Sequence, residues 1–206
     1  MCFANIYGYT GSYCLKRTDM IYETLSCIAD EINKYFNRQL HLSEDKVVLS
    51  AIVNQDGSVA IQGENKVVLT LINVEKESLG LNAPGFNNGN VTTRSMPPVC
   101  INLYILFAAY FSSNNYAEAL RFLSFIIAYF QSRNVLTSTN TPSLDKRIDK
   151  LMFEMESVGT ERLNNVWATL GAKYMPSVIY KMRMLTFDDG VIREYRPGVT
   201  DPSAII

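Results

Sequence analysis

Few side chains in this sequence have types and spacings suited to chemistry. His41 is the single histidine of the chain. An imidazole acts as a general base only beside a group whose proton it can take, and no serine or cysteine motif accompanies it. Its place after a predicted helix points to a surface or capping role. One histidine also excludes a two-histidine metal site within one chain. Glu154 and Glu156 stand two apart in an alternating segment and share a strand face. Paired carboxylates do acid–base work when their surroundings split their pKa values. The same spacing is also the solvated face of an amphipathic strand, which is the expectation here. Asp188-Asp189-Gly190 lacks the further oxygen ligands of a calcium loop and reads as a turn.

The cysteines Cys2, Cys14, Cys27 and Cys100 fit no zinc or redox spacing. Thiols in a reducing compartment are the expectation, with a Cys2–Cys14 disulfide as the alternative. Gly8 and Gly11 do not bridge a strand and a helix, and no Gly-Lys-Ser/Thr follows them, so no phosphate-cradling loop is predicted. The sequence thus predicts no catalytic, cofactor-binding or metal-binding residue.

Charge narrows the partners. Among 206 residues, 19 basic side chains nearly balance 20 acidic ones, and no Lys/Arg stripe appears. That argues against nucleic acid, whose binders concentrate positive charge on one face. The longest apolar run, Val99 to Phe111, is too short to span a bilayer. No basic start followed by an apolar stretch opens the chain, so folding in the cytosol is expected.

The elements follow from periodicity. Ile21, Leu25, Ile28, Ile32 and Phe36 recur at helical spacing and predict an amphipathic helix from Asp19 to about Leu40, capped by Thr18 or Asp19. Val47–Val53 is rich in β-branched residues. A turn at Asn54-Gln55-Asp56-Gly57 then leads to a short strand at Val59–Ile61. Lys66–Val74 is apolar on both faces, as in a strand covered on both sides. Glu75 to Met96 reads as a long polar, mobile loop. Val99–Phe111 begins as a strand, and its pattern leaves open whether it ends as a helix. Asn115 with Glu118 resembles a capping box for a helix to Gln131. Leu136–Asp145 reads as a loop, and Lys150–Glu156 as a strand. Thr160–Leu170 is a helix stopped by Gly171, and Val178–Phe187 is a last strand.

This mixture lacks a βαβ rhythm and predicts one α+β domain, a mixed sheet packed by helices. The boundaries are an irregular arm over 1–18, the domain over 19–189 and a polar tail over 190–206. The helix from Asn115 to Gln131 is apolar nearly all round. It is either central in the domain or covered by another subunit. Phe122, Phe125 and Ile126 are expected on the side that a single apolar stripe would leave wet, which makes them candidate interface residues. Trp167, on the next helix with Leu163, Val166 and Leu170, is core packing or an interface anchor.

Three stretches carry a resemblance: Met20-Ile21-Tyr22-Glu23-Thr24-Leu25, the run from Glu64 to Glu75 (ENKVVLTLINVE), and the run from Pro97 to Tyr110 (PPVCINLYILFAAY). Tyr116–Phe130 and the segment with Leu163 and Trp167 follow at the matching distance. In order and spacing the sequence resembles the tail-terminator, or cap, proteins of extracellular contractile injection systems of the virulence-cassette and antifeeding-prophage type. The resemblance covers about Met20 to Asp189. Members of that family usually begin near Met20, so residues 1–19 stand outside it, and some carry a larger C-terminal extension.

The resemblance implies a phage tail-terminator-like fold and a structural role. A hexameric homo-oligomeric ring would sit at the baseplate-distal end, close the inner tube and hold the last layer of sheath. The partners would be copies of the chain itself and the sheath and inner-tube proteins, in a particle assembled in the cytoplasm and released from the cell. No cofactor is implied. Two other readings remain: a non-ring adaptor or assembly chaperone of the same particle, and a small carboxylate-dependent enzyme using Glu154 and Glu156.

Overall fold

The computed structural model describes residues 19–77, 87–88, 91–95, 99–187 and 192–197. In chain order the elements are α1 (Met20–Leu40), β1 (Val47–Leu49), β2 (Lys66–Lys76), β3 (Asn87–Asn88), β4 (Val91–Ser95), β5 (Val99–Tyr110), α2 (Tyr116–Ser132), β6 (Val135–Thr137), β7 (Lys150–Met155), α3 (Thr160–Leu170), β8 (Ser177–Phe187) and β9 (Ile192–Pro197). Six strands form one mixed sheet in the order β1-β2-β5-β8-β7-β6, and β3-β4-β9 form a small second one. Only β1 runs parallel to its neighbour in the large sheet. This is the single-domain α+β architecture expected from the sequence.

The central strands are covered on both faces, which explains their unbroken apolar runs. On β5, Leu103, Ile105, Phe107 and Ala109 face the core built with α1 and α2, while Leu106 and Ala108 face a smaller core under α3. On β2, Val67 and Leu69 join the first core and Val68 the second. The first core is aromatic. Tyr35 of α1 meets Tyr129 of α2 at 5.3 Å, and Phe130 lies between Phe107 at 5.7 Å and Tyr180 at 4.5 Å. The second core joins Trp167 of α3 to Ile179 of β8 and to Ile52 and Ile61, which the chain tucks in after β1.

Several expectations change. Val99–Tyr110 is a strand throughout, because coverage of both faces removes the alternation that would have distinguished it from a helix. The strand expected over Val47–Val53 stops at Leu49, and Val59–Ile61 contributes only a bridge from Val59 to Val53. There the chain leaves the sheet to bury Ile52 and Ile61 as a local hairpin. Within the span read as a loop from Glu75 to Met96, β2 continues to Lys76, and β3 and β4 pair with each other. Of that span, residues 78–86, 89–90 and 96 lie outside the described residues. The segment read as a loop from Leu136 holds most of β6, and the one read as a tail holds β9.

Neither Asp19 nor Asn115 makes the side-chain cap expected of it. Asp19 forms no side-chain bond at the start of α1, and Thr18 lies outside the described residues. The Asn115 carboxamide donates instead to Asn65 Oδ1 at 3.2 Å, tying the start of α2 to a residue held at φ 57°. The arm over 1–18 lies outside the described residues.

Candidate assembly surface

The groups singled out for chemistry do not converge. His41 is exposed at the end of α1 in the left-handed conformation, φ 52° and ψ 38°, where it closes the helix. β7 ends at Met155, so Glu156 lies just past the strand. Glu154 pairs with Arg183 at 3.3 Å and Glu156 with Arg162 at 3.5 Å. Each carboxylate thus has its own guanidinium, the arrangement of two surface ion pairs rather than of a proton-sharing dyad. Asp188, Asp189 and Gly190 lie outside the described residues, as do Cys2 and Cys14. Among the described residues, no group of three His, Cys, Asp or Glu side chains could hold a metal ion.

Cys27 and Cys100 are buried. Burial pushes the Cys27 thiol up from its ordinary value, against a hydrogen bond with Ser143 Oγ at 3.4 Å that lowers it. That favours an inert thiol over a reactive one. Burial likewise pushes the Tyr129 phenol up to about 12.

α2 corrects the sequence reading most directly. Phe122 is 3% exposed and Ile126 fully buried, both in the chain's own core with Ala119, Leu123, Tyr129 and Phe130. Phe125 is half-buried against the same cluster. These residues were expected on the wet side. Phe122 and Ile126 belong to the core stripe because the i, i+3, i+4, i+7 set built on Ala119 is the one that meets α1 and the sheet, and Phe125 lies at the edge of that stripe. The open side carries Tyr116, Leu120 and Ile127, which are 54, 44 and 39% exposed. At 100° per residue the three fall on one line along the helix. Exposed Ala117, Ser124 and Ala128 flank them, so the ridge is apolar and sterically low on one side. The signal was present in the sequence as a large apolar or aromatic residue at each of positions 116, 120 and 127. What was missing was which of two apolar stripes the sheet would take.

α3 provides a second relief. Its groove of about 240 Å³ against the sheet is lined by Ile72, Tyr104, Val158, Arg162, Val166 and Leu170 among others. Trp167 does not line it. Its ring is buried in the smaller core and stands edge to face with Tyr174, centroids 5.8 Å apart. Of the four residues picked from the sequence as interface candidates, the structure puts Phe122 and Ile126 inside one core with Phe125 packed half-buried against it, and Trp167 in the other.

Beyond the groove, polar side chains cross the same sheet face. Tyr104 donates its hydroxyl to Glu75 Oε2 at 2.8 Å, and Lys181 Nζ lies 3.5 Å from that carboxylate and 5.2 Å from the Tyr104 ring centroid. The patch mixes both signs and offers no phosphate-tracking stripe. No described helix is long and apolar enough to cross a membrane.

Two solved structures share this fold. One is the sheath/tube terminator of the extracellular contractile injection system PVC in its extended state. It superposes with a TM-score of 0.61 at 14% identity, over 90% of this chain and 62% of the neighbour. The other is the tube-terminating cap of the anti-feeding prophage, with a TM-score of 0.56 at 14% identity, over 86% of this chain and 58% of the neighbour. The chain therefore spans about three-fifths of the length of either neighbour. No curated protein matches the sequence. The resemblance carried by Met20–Leu25, Glu64–Glu75 and Pro97–Tyr110 is borne out by the family model described as the Pvc16 N-terminal domain: it matches residues 23–201, and the chain belongs to that family.

Proposed function

We propose that this chain is a non-catalytic cap subunit that ends the tube and sheath of a contractile injection particle. The reading rests on the fold shared with two terminators. It is supported by the apolar ridge of Tyr116, Leu120 and Ile127, which a chain acting alone would gain by covering. Copies of the chain form a ring, with six as the expected number, at the baseplate-distal end. The ring closes the inner tube and holds the last sheath layer, during assembly in the cytoplasm and afterwards in the released particle. Such a role needs complementary surfaces and no reacting group, which fits carboxylates already spent on ion pairs at Glu154 and Glu156.

The test is co-production of the full chain with the tube and sheath proteins of its own particle, followed by electron microscopy. The expected result is a closed ring at one end of tubes of uniform length, and tubes of scattered length when the chain is omitted. Uniform tubes without the chain would overturn the reading. A chain that binds tube or sheath yet is absent from finished particles would be an adaptor or assembly chaperone instead.

A further inference from the structure

Both edges of the six-stranded sheet end on an asparagine side chain. At the β6 edge the outward-facing groups belong to Val135 and Thr137, because Phe153 N–H reaches the Asn134 carbonyl at 2.8 Å and so turns the even-numbered positions toward β7. Asn140 folds back on this edge. Its Oδ1 accepts the Thr137 N–H at 2.8 Å, and its Nδ2 donates to the Val135 carbonyl at 2.9 Å. The Thr137 carbonyl is also taken, by the Thr141 N–H at 2.9 Å. One carboxamide thus fills a donor position, at the Val135 carbonyl, and an acceptor position, at the Thr137 N–H, that the backbone of an added strand would use.

The opposite edge is treated in the same way. Val67 N–H reaches the Lys46 carbonyl at 2.8 Å, and Ser50 N–H the Leu69 carbonyl at 3.2 Å, so Val47 faces outward from β1. Asn33 of α1 meets it there. Its Oδ1 accepts the Val47 N–H at 2.8 Å and its Nδ2 donates to the Val47 carbonyl at 2.9 Å. Asn33 is buried under its helix, whereas Asn140 is exposed on a surface turn. An open edge is a template for pairing with another chain. An exposed edge such as β6 is where that pairing would begin.

We infer that Asn140 is an edge guard: its carboxamide keeps β6 closed to strand addition, so that copies of this chain do not join through the edges of the large sheet. Their association is then left to side-chain surfaces. The guard acts on the free chain and does not depend on the cap reading.

Asn140→Ala in the full chain tests it, against the parent at equal concentration. The Thr137 amide should exchange with solvent roughly five- to tenfold faster, the factor expected for one lost hydrogen bond, while the Leu136 amide, which faces β7, should not change. Sedimentation velocity should show concentration-dependent species that the parent lacks. Adding Thr137→Pro, which removes the outward N–H at an edge position that tolerates proline, should abolish those species. Should Asn140→Ala fail to fold, Asn140→Ser, too short to reach both groups at once, takes its place. A folded variant with a fast-exchanging Thr137 amide that associates no more than the parent would overturn the inference. So would association that survives Thr137→Pro.

Discussion

The rings of Phe36 and Phe122 lie 5.1 Å apart at a tilt of 56°, one on each of the helices that cover the same face of the sheet. The contact fixes the rotation of α2 about its own axis, and with it which residues are left outside. Phe122→Ala removes a buried ring from a packed aromatic cluster and should cost about 3–5 kcal/mol. Leu120→Ala, on the open side of the same helix, should stay within about 0.5 kcal/mol. Denaturant unfolding of the two variants measures both. Equal losses would mean that α2 is rotated away from the orientation that this contact sets.

His41 closes α1 at a backbone conformation that glycine adopts without steric cost. If the imidazole has no chemical task, His41→Gly should stabilise the chain by up to about 1 kcal/mol: the left-handed conformation costs a residue with a side chain about 1–2 kcal/mol, and glycine's extra freedom in the unfolded chain gives back about 0.5–1. It should leave assembly unchanged. A drop in the melting midpoint would show that the side chain holds something in place.

Arg147 binds both Asp145 and Glu23, linking the segment before β7 to the first turn of α1, with its Nη2 2.8 Å from Glu23 Oε2. Hydrogen bonds from Arg147 hold the Asp145 carboxyl down at about 2. A carboxyl depressed in the folded chain stabilises it above its ordinary unfolded value near 4, and that contribution is lost as pH falls from about 4 to about 2. Asp145→Asn should therefore lower the melting midpoint at pH 7 and flatten its fall between pH 4 and 2. Parallel curves for parent and variant over that window would remove Asp145 from the acid response.

Where periodicity and packing agree, the chain was legible. α1 and α3 fall within a residue of their expected bounds, because a single apolar stripe met a single surface and Gly171 closed α3 at φ 66°. The signal failed where one cause can produce two structures. A strand covered on both faces and a buried helix both give an apolar run, so the end of β5 stayed undecided. β6 and β9 are short, and their pairing with distant residues is invisible locally. Asn115 has the composition of a helix cap yet bonds Asn65, fifty residues away. The same limit reversed the reading of α2. Composition shows two apolar stripes, and only the sheet beneath decides that Phe122 and Ile126 go inward and Leu120 and Ile127 outward.

That reversal gives the sharpest prediction about assembly. Tyr116, Leu120 and Ile127 are exposed on a helix whose inner stripe already satisfies the fold. A charge placed on the ridge therefore costs the free chain little, whereas buried in a contact it would stay unpaired in an apolar setting, which is expensive. Leu120→Glu and Ile127→Glu should keep the parent's melting midpoint within a few degrees and lose the ring, and particles made with them should have tubes of scattered length. Phe125 is half-buried against the core, so Phe125→Glu should instead lower the midpoint. The comparison separates a surface used in assembly from one used in folding. Light scattering of the purified variants gives the first answer, and imaging of tube lengths the second. Normal rings and normal lengths with both ridge variants would show that this face of α2 is open in the particle as well. Assembly would then have to use the α3 groove or the polar face crossed by Glu75, Tyr104 and Lys181.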